Sequence, residues 1–362
     1  MGKQLKIFFD FLRFSIGSVK EIPDSLKEAD WKELYAIAKK QCLVGVLFDG
    51  IKKLPAEYVG MKKELLLQWM AESQMLEKAN ARLNDAAIQV SEWFRKKGFR
   101  TCILKGQGNA LMYPNPYSRT PGDIDIWVEG GDKRVISFVR SISPHEKACY
   151  HHIEFPSYKG IEVEVHYRPS FLLCFWHNRK LQKYYERVQE EQFSHRVMLG
   201  EQGEVAIPTA EFNLIFQLTH IFTHLMNEGI GLRQLLDYYY VISMLSVNCE
   251  MLTSLQKELK ELGLWKFAGA IMYIMHEVFG MHASRLIVPP NEKYGRFVLN
   301  EVLEAGNFGK HDARNRFGKS PLGHNLQRVY RDIRLVTYFP AEALCEPIFR
   351  TWHFFWRMKN KK

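Results

Sequence analysis

Apolar residues recur at spacings of three and four along most of the chain, the period of a helix with one buried face. From about Lys62 to Lys97 there is neither Pro nor Gly, and Leu65, Leu66, Trp69, Met70, Leu83, Ala87, Val90, Trp93 and Phe94 carry that period. Gly98 follows Arg95-Lys96-Lys97, where a left-handed glycine ends a helix whose last turn holds cations. The segment predicts one long helix or two shorter ones. Upstream, Pro23-Asp24-Ser25 breaks a first amphipathic segment, and Trp31 to Lys40 resumes the helical period. Residues 1–98 therefore read as an N-terminal helical region.

The period changes at Arg100. Thr101-Cys102-Ile103-Leu104 is a short apolar run that stops at Lys105-Gly106-Gln107-Gly108. A loop rich in Pro, Asn and Gly runs from Tyr113 to Gly122, and Ile124-Asp125-Ile126-Trp127-Val128 then alternates with period two. Gly130-Gly131-Asp132 opens a helix to about Arg140. His151 to Phe155 and Ile161 to Tyr167 read as strands joined by 156–160, most simply a hairpin. Residues 195–199 and 204–207 read as two further short strands. The helical period returns after Pro208, with Thr209 as N-cap, Glu211 in the first turn, and Leu214, Ile215, Leu218, Phe222 and Leu225 on one face. Gly229-Ile230-Gly231 interrupts it, another helix begins near Leu232, and further helices surround the breaks at Pro289-Pro290 and Pro321. The expected fold class is α+β and mostly helical, with a small mixed β-sheet core at 99–207 between the N-terminal region and a helical domain at 208–362.

Composition narrows the class. Of 362 residues, 46% are hydrophobic and 25% charged, an ordinary globular balance that excludes global disorder and collagen-like structure. The six cysteines have no ligand-like spacing, and the start MGKQLKIFFDFLRF lacks a secretory leader's apolar run and cleavage site. Both predict reduced thiols and a cytoplasmic protein, and no apolar stretch is long enough to span a membrane. The net charge of +10 is uneven, because residues 310–362 hold twelve Lys or Arg against four Asp or Glu. That basic tail is a candidate footprint for phosphate, RNA or acidic lipid, or simply a solvated helix face. Within it, Arg328, Arg331 and Arg334 form a stripe that faces triphosphate, an acidic acceptor or water. The spacing of Phe349, Trp352, His353 and Trp356 favours a packed C-terminal helix over a membrane-surface one.

The candidate chemistry lies in the carboxylates. Asp123 and Asp125 stand one residue apart in a strand-like segment, so both side chains project from one face. Adjacent anions in a half-buried strand repel each other unless a cation neutralises them, and oxygen-only ligation suits Mg²⁺ or Mn²⁺ rather than zinc. Glu162, Glu164 and His166 share a face of a later strand and offer a third acid. The plain alternative is a turn entering an edge strand. His220 and His224, four apart, are either a metal pair or packed helix histidines. Arg233 and Asp237 either pair along their helix or leave Arg233 free for phosphate or substrate. His166 either orients a carboxylate or touches substrate, and His151-His152 are either cleft residues or ordinary strand positions. No G-x-x-x-x-G-K-[ST], Rossmann G-x-G-x-x-G or G-x-S-x-G motif occurs.

Taken in order, Leu104-Lys105-Gly106, Tyr113-Pro114, Arg119, Asp123-Ile124-Asp125-Ile126 and Glu164-Val165-His166 resemble the DNA polymerase β-type nucleotidyltransferase superfamily. Within it they look most like the bacterial uncharacterised nucleotidyltransferases. The likeness continues through Thr219-His220, His224 and Gly231-Leu232-Arg233-Gln234-Leu235-Leu236-Asp237, a helical segment that would line the cleft opposite the sheet. The resemblance implies a nucleotidyltransferase core at 99–207 and a Mg²⁺-dependent (or Mn²⁺-dependent) transfer of a nucleoside monophosphate from an NTP, with release of pyrophosphate. In a two-metal site, Asp123 and Asp125 would hold both divalent ions, and Glu164 would hold the catalytic ion and help take the acceptor's proton. Lys105, Gly106, Gln107, Gly108 and Arg119 would hold the nucleotide phosphates. Here sixteen residues separate Gly106 from Asp123, longer than the superfamily's usual loop, and Gln107 replaces its Ser or Gly. The expected acceptor is a small molecule or a protein. An RNA-tailing enzyme using 310–362 and a non-catalytic nucleotide- or partner-binding module are the rivals.

Overall fold

The computed structural model describes residues 2–360 except 202, 246–247, 313, 315–316 and 318–319. It begins with helices α1 (Lys3–Ile16), α2 (Trp31–Lys40), α3 (Val44–Ile51) and α4 (Lys63–Lys96). Of the two readings of the Pro- and Gly-free segment, the single helix holds: α4 runs unbroken for 34 residues and buries Trp69, Leu83, Ala87, Val90 and Phe94. It also buries Asn80, whose amide donates to the carbonyls of Tyr117 and Arg119 at 2.8 Å each. A polar side chain on an apolar face thereby fixes the long loop that leads to the sheet.

The sheet is built from β1 (Thr101–Ile103), β2 (Ile124–Val128), β3 (His152–Tyr158) and β4 (Ile161–His166), with α5 (Gly106–Ala110) and α6 (Gly131–Ile142) between them. The strand order is β1-β2-β4-β3, with β2 and β4 parallel and both outer pairs antiparallel. β3 and β4 form the expected hairpin, and its turn places Lys159 at φ 52° and Gly160 at φ 79°, two consecutive left-handed residues. Ile103, Ile124, Ile126, Val128, Val163 and Val165 fill one face of the sheet against Phe94 of α4 and Val135 and Val139 of α6. Alternation then sends Trp127 to the other face, where its ring meets Phe193 at 4.7 Å and Phe212 at 5.9 Å. Asp125, two residues from Trp127, is turned the same way.

After the sheet come α7 (Phe175–Ser194) and a ribbon of β5 (Arg196–Met198) and β6 (Glu204–Ala206). Helices α8 (Ala210–Asn227), α9 (Leu232–Met244), α10 (Cys249–Glu261), α11 (Trp265–Glu277), α12 (Glu292–Ala305), α13 (Pro321–Val336) and α14 (Pro340–Lys359) follow. Thr209 caps α8 as expected, its hydroxyl accepting from the Phe212 amide at 3.3 Å. Two elements depart from the sequence reading. Periodicity assigns nothing to 168–194, yet α7 forms there, because only Leu181, Tyr185, Phe193 and two polar residues of its twenty are buried and the stripe is sparse. The run after Lys105, expected as a loop, winds into α5 from Gly106 at φ 48°. Among the described residues, no helix is long and apolar enough to cross a membrane.

Helix α3 approaches the loop before β2 so closely that a Cβ on Gly45 would overlap the Ser118 carbonyl oxygen and lie 3.0 Å from its carbon. Both partners are backbone and cannot rotate away. Gly45→Ala is expected to lower stability by about 1–3 kcal/mol. The change should appear as a lower urea midpoint with an unchanged slope.

Candidate active site

Parallel pairing of β2 with β4 sets Asp125 opposite Glu164 and Trp127 opposite His166. Asp123 sits just before β2. One carboxylate oxygen from each of Asp123, Asp125 and Glu164 lies within 4.8 Å of the others. Two basic groups neutralise the most buried of the three. Lys105 Nζ is 2.8 Å from Asp125 Oδ1, and His166 Nε2 is 2.9 Å from the same oxygen and 3.4 Å from Glu164 Oε2.

The electrostatics follow from this crowding. Burial acts to raise the Asp125 carboxyl, but Lys105 and the His166 hydrogen bond outweigh it and hold the group ionised, below the usual range. Asp123 goes the other way: repulsion from Asp125, then burial, push it up to about 6. Burial opposes charge on His166, yet its bonds to Asp125 and Glu164 prevail and raise it to about 9. His166 is therefore an imidazolium at neutral pH, donating to the carboxylates it orients. Behind it, His152 Nδ1 lies 3.3 Å from Glu164 Oε2 and 3.1 Å from His151 Nε2. Burial and His166 lower His152 to about 4, so it is neutral.

Asp237 does not pair with Arg233 along α9. Its partner is Arg119, 118 residues earlier, whose Nε and Nη2 each donate to one carboxylate oxygen at 2.8 Å. Tyr113 Oη donates to the same carboxylate at 2.7 Å. The fork is bidentate and buried, which joins the loop before β2 to α9. Arg233 instead donates from Nη1 to the Thr120 carbonyl at 3.0 Å, and its Nε finds no partner.

Some of these groups line a cavity of about 840 Å³ between the sheet, α4, α8 and α9, whose lining does not include Glu164 or His166. Of the expected residues, Lys105, Gly106, Arg119, Asp123, Asp125, His220, Arg233 and Asp237 reach it. Gln107 and Gly108 do not: the Gln107 amide donates to Asn84 and to the Asn80 carbonyl beneath α4, and Gly108 packs on Ile207. His220 Nε2 stands 3.5 Å from Lys105 Nζ, and burial with that ammonium keeps the ring neutral. His224 stacks edge-on against His220 with centroids 4.2 Å apart and bonds Glu228. Among the described residues the two histidines belong to no group of three metal-competent side chains.

Sequence reasoning does not find Arg82, Lys159, Phe308 or Lys310, which also line the cavity. They come from three separate segments, Phe308 and Lys310 sharing one, and follow no common spacing rule. Asn109 and Gln217, joined by a 2.8 Å hydrogen bond, had one visible signal: Gln217 is a polar residue on the apolar face of α8. The arginine stripe of α13 turns inward rather than to solvent. Arg334 lies 3.2 Å from Glu301, Arg328 lies 3.8 Å from Glu346, and Arg331 is buried. Arg316, Lys319, Lys361 and Lys362 of the basic tail lie outside the described residues.

Residues 27–280 match the model of a family described as "Uncharacterised nucleotidyltransferase". Among solved structures, the chain is similar to an antigenic nucleotidyltransferase-like protein from Paracoccidioides brasiliensis, at 15% identity and a TM-score of 0.29, covering 52% of this chain and 89% of that one. No curated protein matches.

The Arg119–Asp237 pair gives a stability test. Asp237→Ala leaves the buried Arg119 guanidinium uncompensated and should cost about 3–5 kcal/mol in chemical denaturation. Replacing both partners by apolar residues, Arg119→Met with Asp237→Leu, should recover most of that loss.

Proposed function

We propose that this chain, which belongs to the uncharacterised nucleotidyltransferase family, transfers a nucleoside monophosphate from a Mg²⁺-bound NTP to a hydroxyl of a small molecule or protein. The observation that carries this reading is the convergence of Glu164 with Asp123 and Asp125, the latter two lining a cavity that also presents Lys105, Arg119, Arg233 and Lys310. The three acids fit a divalent ion of the Mg²⁺ type. All donors are oxygens, they lie within 4.8 Å of one another, and mutual repulsion raises Asp123 for want of further positive charge. Such an ion, when bound, neutralises phosphate oxygens and the charge that develops on the departing pyrophosphate.

The chain's own residues divide the remaining work. Asp123, Asp125 and Glu164 hold the ion. His166 and Lys105 keep Asp125 ionised and oriented, so the ligand set is organised before substrate arrives. Glu164, its side chain 32% exposed, is the accessible carboxylate that takes the proton from the acceptor hydroxyl. The new bond joins that oxygen to the α-phosphorus, and the bond to pyrophosphate breaks. Arg233, with an unpartnered buried Nε, and Lys310 supply positive charge for the phosphates. Gly106 lets its backbone approach them closely.

Thermal unfolding with each NTP, with and without Mg²⁺, tests the binding step. A nucleotide present at a hundred times its Kd should stabilise the native state by about 2.7 kcal/mol. That shift should require Mg²⁺ and vanish in Asp123→Asn/Asp125→Asn. Once an acceptor is found, Glu164→Gln should lower kcat by on the order of 10²–10⁴. If no NTP at millimolar concentration shifts the wild type, nucleotidyl transfer is the wrong reading and a binding module takes its place.

A further inference from the structure

Away from the cavity, four side chains with metal-ligand chemistry meet where α14 passes the start of α7. Cys174 is the N-cap residue of α7 and His177 lies in its first turn. Glu342 and Cys345 are three residues apart on α14 and so share a face. One ligand atom each from Cys174, His177 and Glu342 lies within 4.8 Å of the others. His177 Nδ1 is 3.1 Å from Glu342 Oε1. Two ligands on a tetrahedral ion with arms of about 2.0–2.1 Å stand roughly 3.3 Å apart, so this pair needs almost no movement to share one. Cys345 neighbours Cys174 and the Phe175 backbone without belonging to that 4.8 Å group, so its thiol must turn inward to serve as the fourth ligand.

The surroundings hold the set in place. The Glu342 carboxylate is buried, and its Oε2 accepts from the amides of Leu173 at 2.6 Å and Cys174 at 3.0 Å, which leaves Oε1 facing His177. The His177 ring lies flat on Gly263, where a Cβ would sit 2.6 Å from Nε2, and that glycine has φ 71°. Only glycine fits there, and its absence of a side chain fixes the ring. His177 and Cys345 are partly exposed, which gives an ion a way in.

We propose that Cys174, His177, Glu342 and Cys345 bind one zinc ion that clamps α14 to α7. Sulfur, imidazole and carboxylate donors in a closed set of four are zinc's preference, in contrast to the all-oxygen acids of the cavity. Charge favours the placement too. Two thiolates and a carboxylate exceed the zinc charge by one, and the surplus negative charge faces the N-terminus of α7, where the helix dipole and free amides stabilise an anion. The two amide bonds to Glu342 are the kind of supporting contact that orients a ligand.

The proposal is independent of the nucleotidyl-transfer reading, and its test uses the full chain purified under reducing conditions from zinc-supplemented cells. Elemental analysis should find one zinc per chain, unchanged in Asp123→Asn/Asp125→Asn. In competition with a chromogenic chelator, Cys174→Ser and His177→Ala should each weaken zinc binding by at least about 100-fold, beyond what loss of an outer contact costs. Circular dichroism confirms that each variant is folded. Co²⁺ added to stripped wild-type protein should give the absorption of tetrahedral, thiolate-ligated cobalt, and Cys345→Ser should reduce it. Folded wild-type protein with no zinc and no cobalt–thiolate absorption overturns the proposal. So does protein that carries a Cys174–Cys345 disulfide in place of the metal.

Discussion

Two carboxylates are forced side by side in the middle of the sheet, and much of the molecule answers that repulsion. Asp125 and Glu164 are direct partners in the parallel pair β2 and β4, and Asp123 stands beside them. Their orientation is not a local choice. Ile124, Ile126, Val163 and Val165 occupy the apolar face against α4 and α6, so strict alternation drives the acids to the other side. There the fold supplies Lys105 from the end of β1 and His166 from the end of β4. The positive charge is enough to ionise Asp125 and leaves Asp123 raised, the imbalance on which the proposed cation site rests.

A second buried charge pair sets the opposite wall. Arg119 and Asp237 close a bidentate bridge between the loop before β2 and helix α9, with Tyr113 as a third member. Because Asp237 is committed to Arg119, Arg233 is released toward the cavity and held through the Thr120 carbonyl and the Phe308 ring. The loop is pinned on its far side by Asn80 of α4 and by the close seat of Gly45 against Ser118. Three helices thus fix one irregular segment, which explains how a stretch without regular structure can carry precise side-chain positions.

Helix α7 links these walls to the C-terminal part of the chain. Phe193 near its end packs its ring against Trp127 of β2, and its first turn receives Glu342 of α14. The inward arginines of α13, matched to Glu301 and Glu346, add to the same packing. Much of the basic charge that marks residues 310–362 in the sequence is therefore spent within the fold, and a surface reading of that segment overstates it.

The local signals were legible. A Pro- and Gly-free run of helical period marks the helix of α4, alternation determines β2 and β4, and D-x-D spacing puts Asp123 and Asp125 on one face. Those follow from backbone geometry within a few residues, which sequence encodes directly. The sparse stripe of α7 hides a helix that tertiary packing stabilises, and Gln107 turns under α4 because Asn84 and Asn80 wait there. The cavity's other cations, the Arg119–Asp237 bridge and the Cys174, His177, Glu342 and Cys345 cluster join segments up to 228 residues apart. No spacing rule reaches so far. Charge pairing and ligand convergence at that range depend on which helices come to lie against each other, and only the packed core decides that.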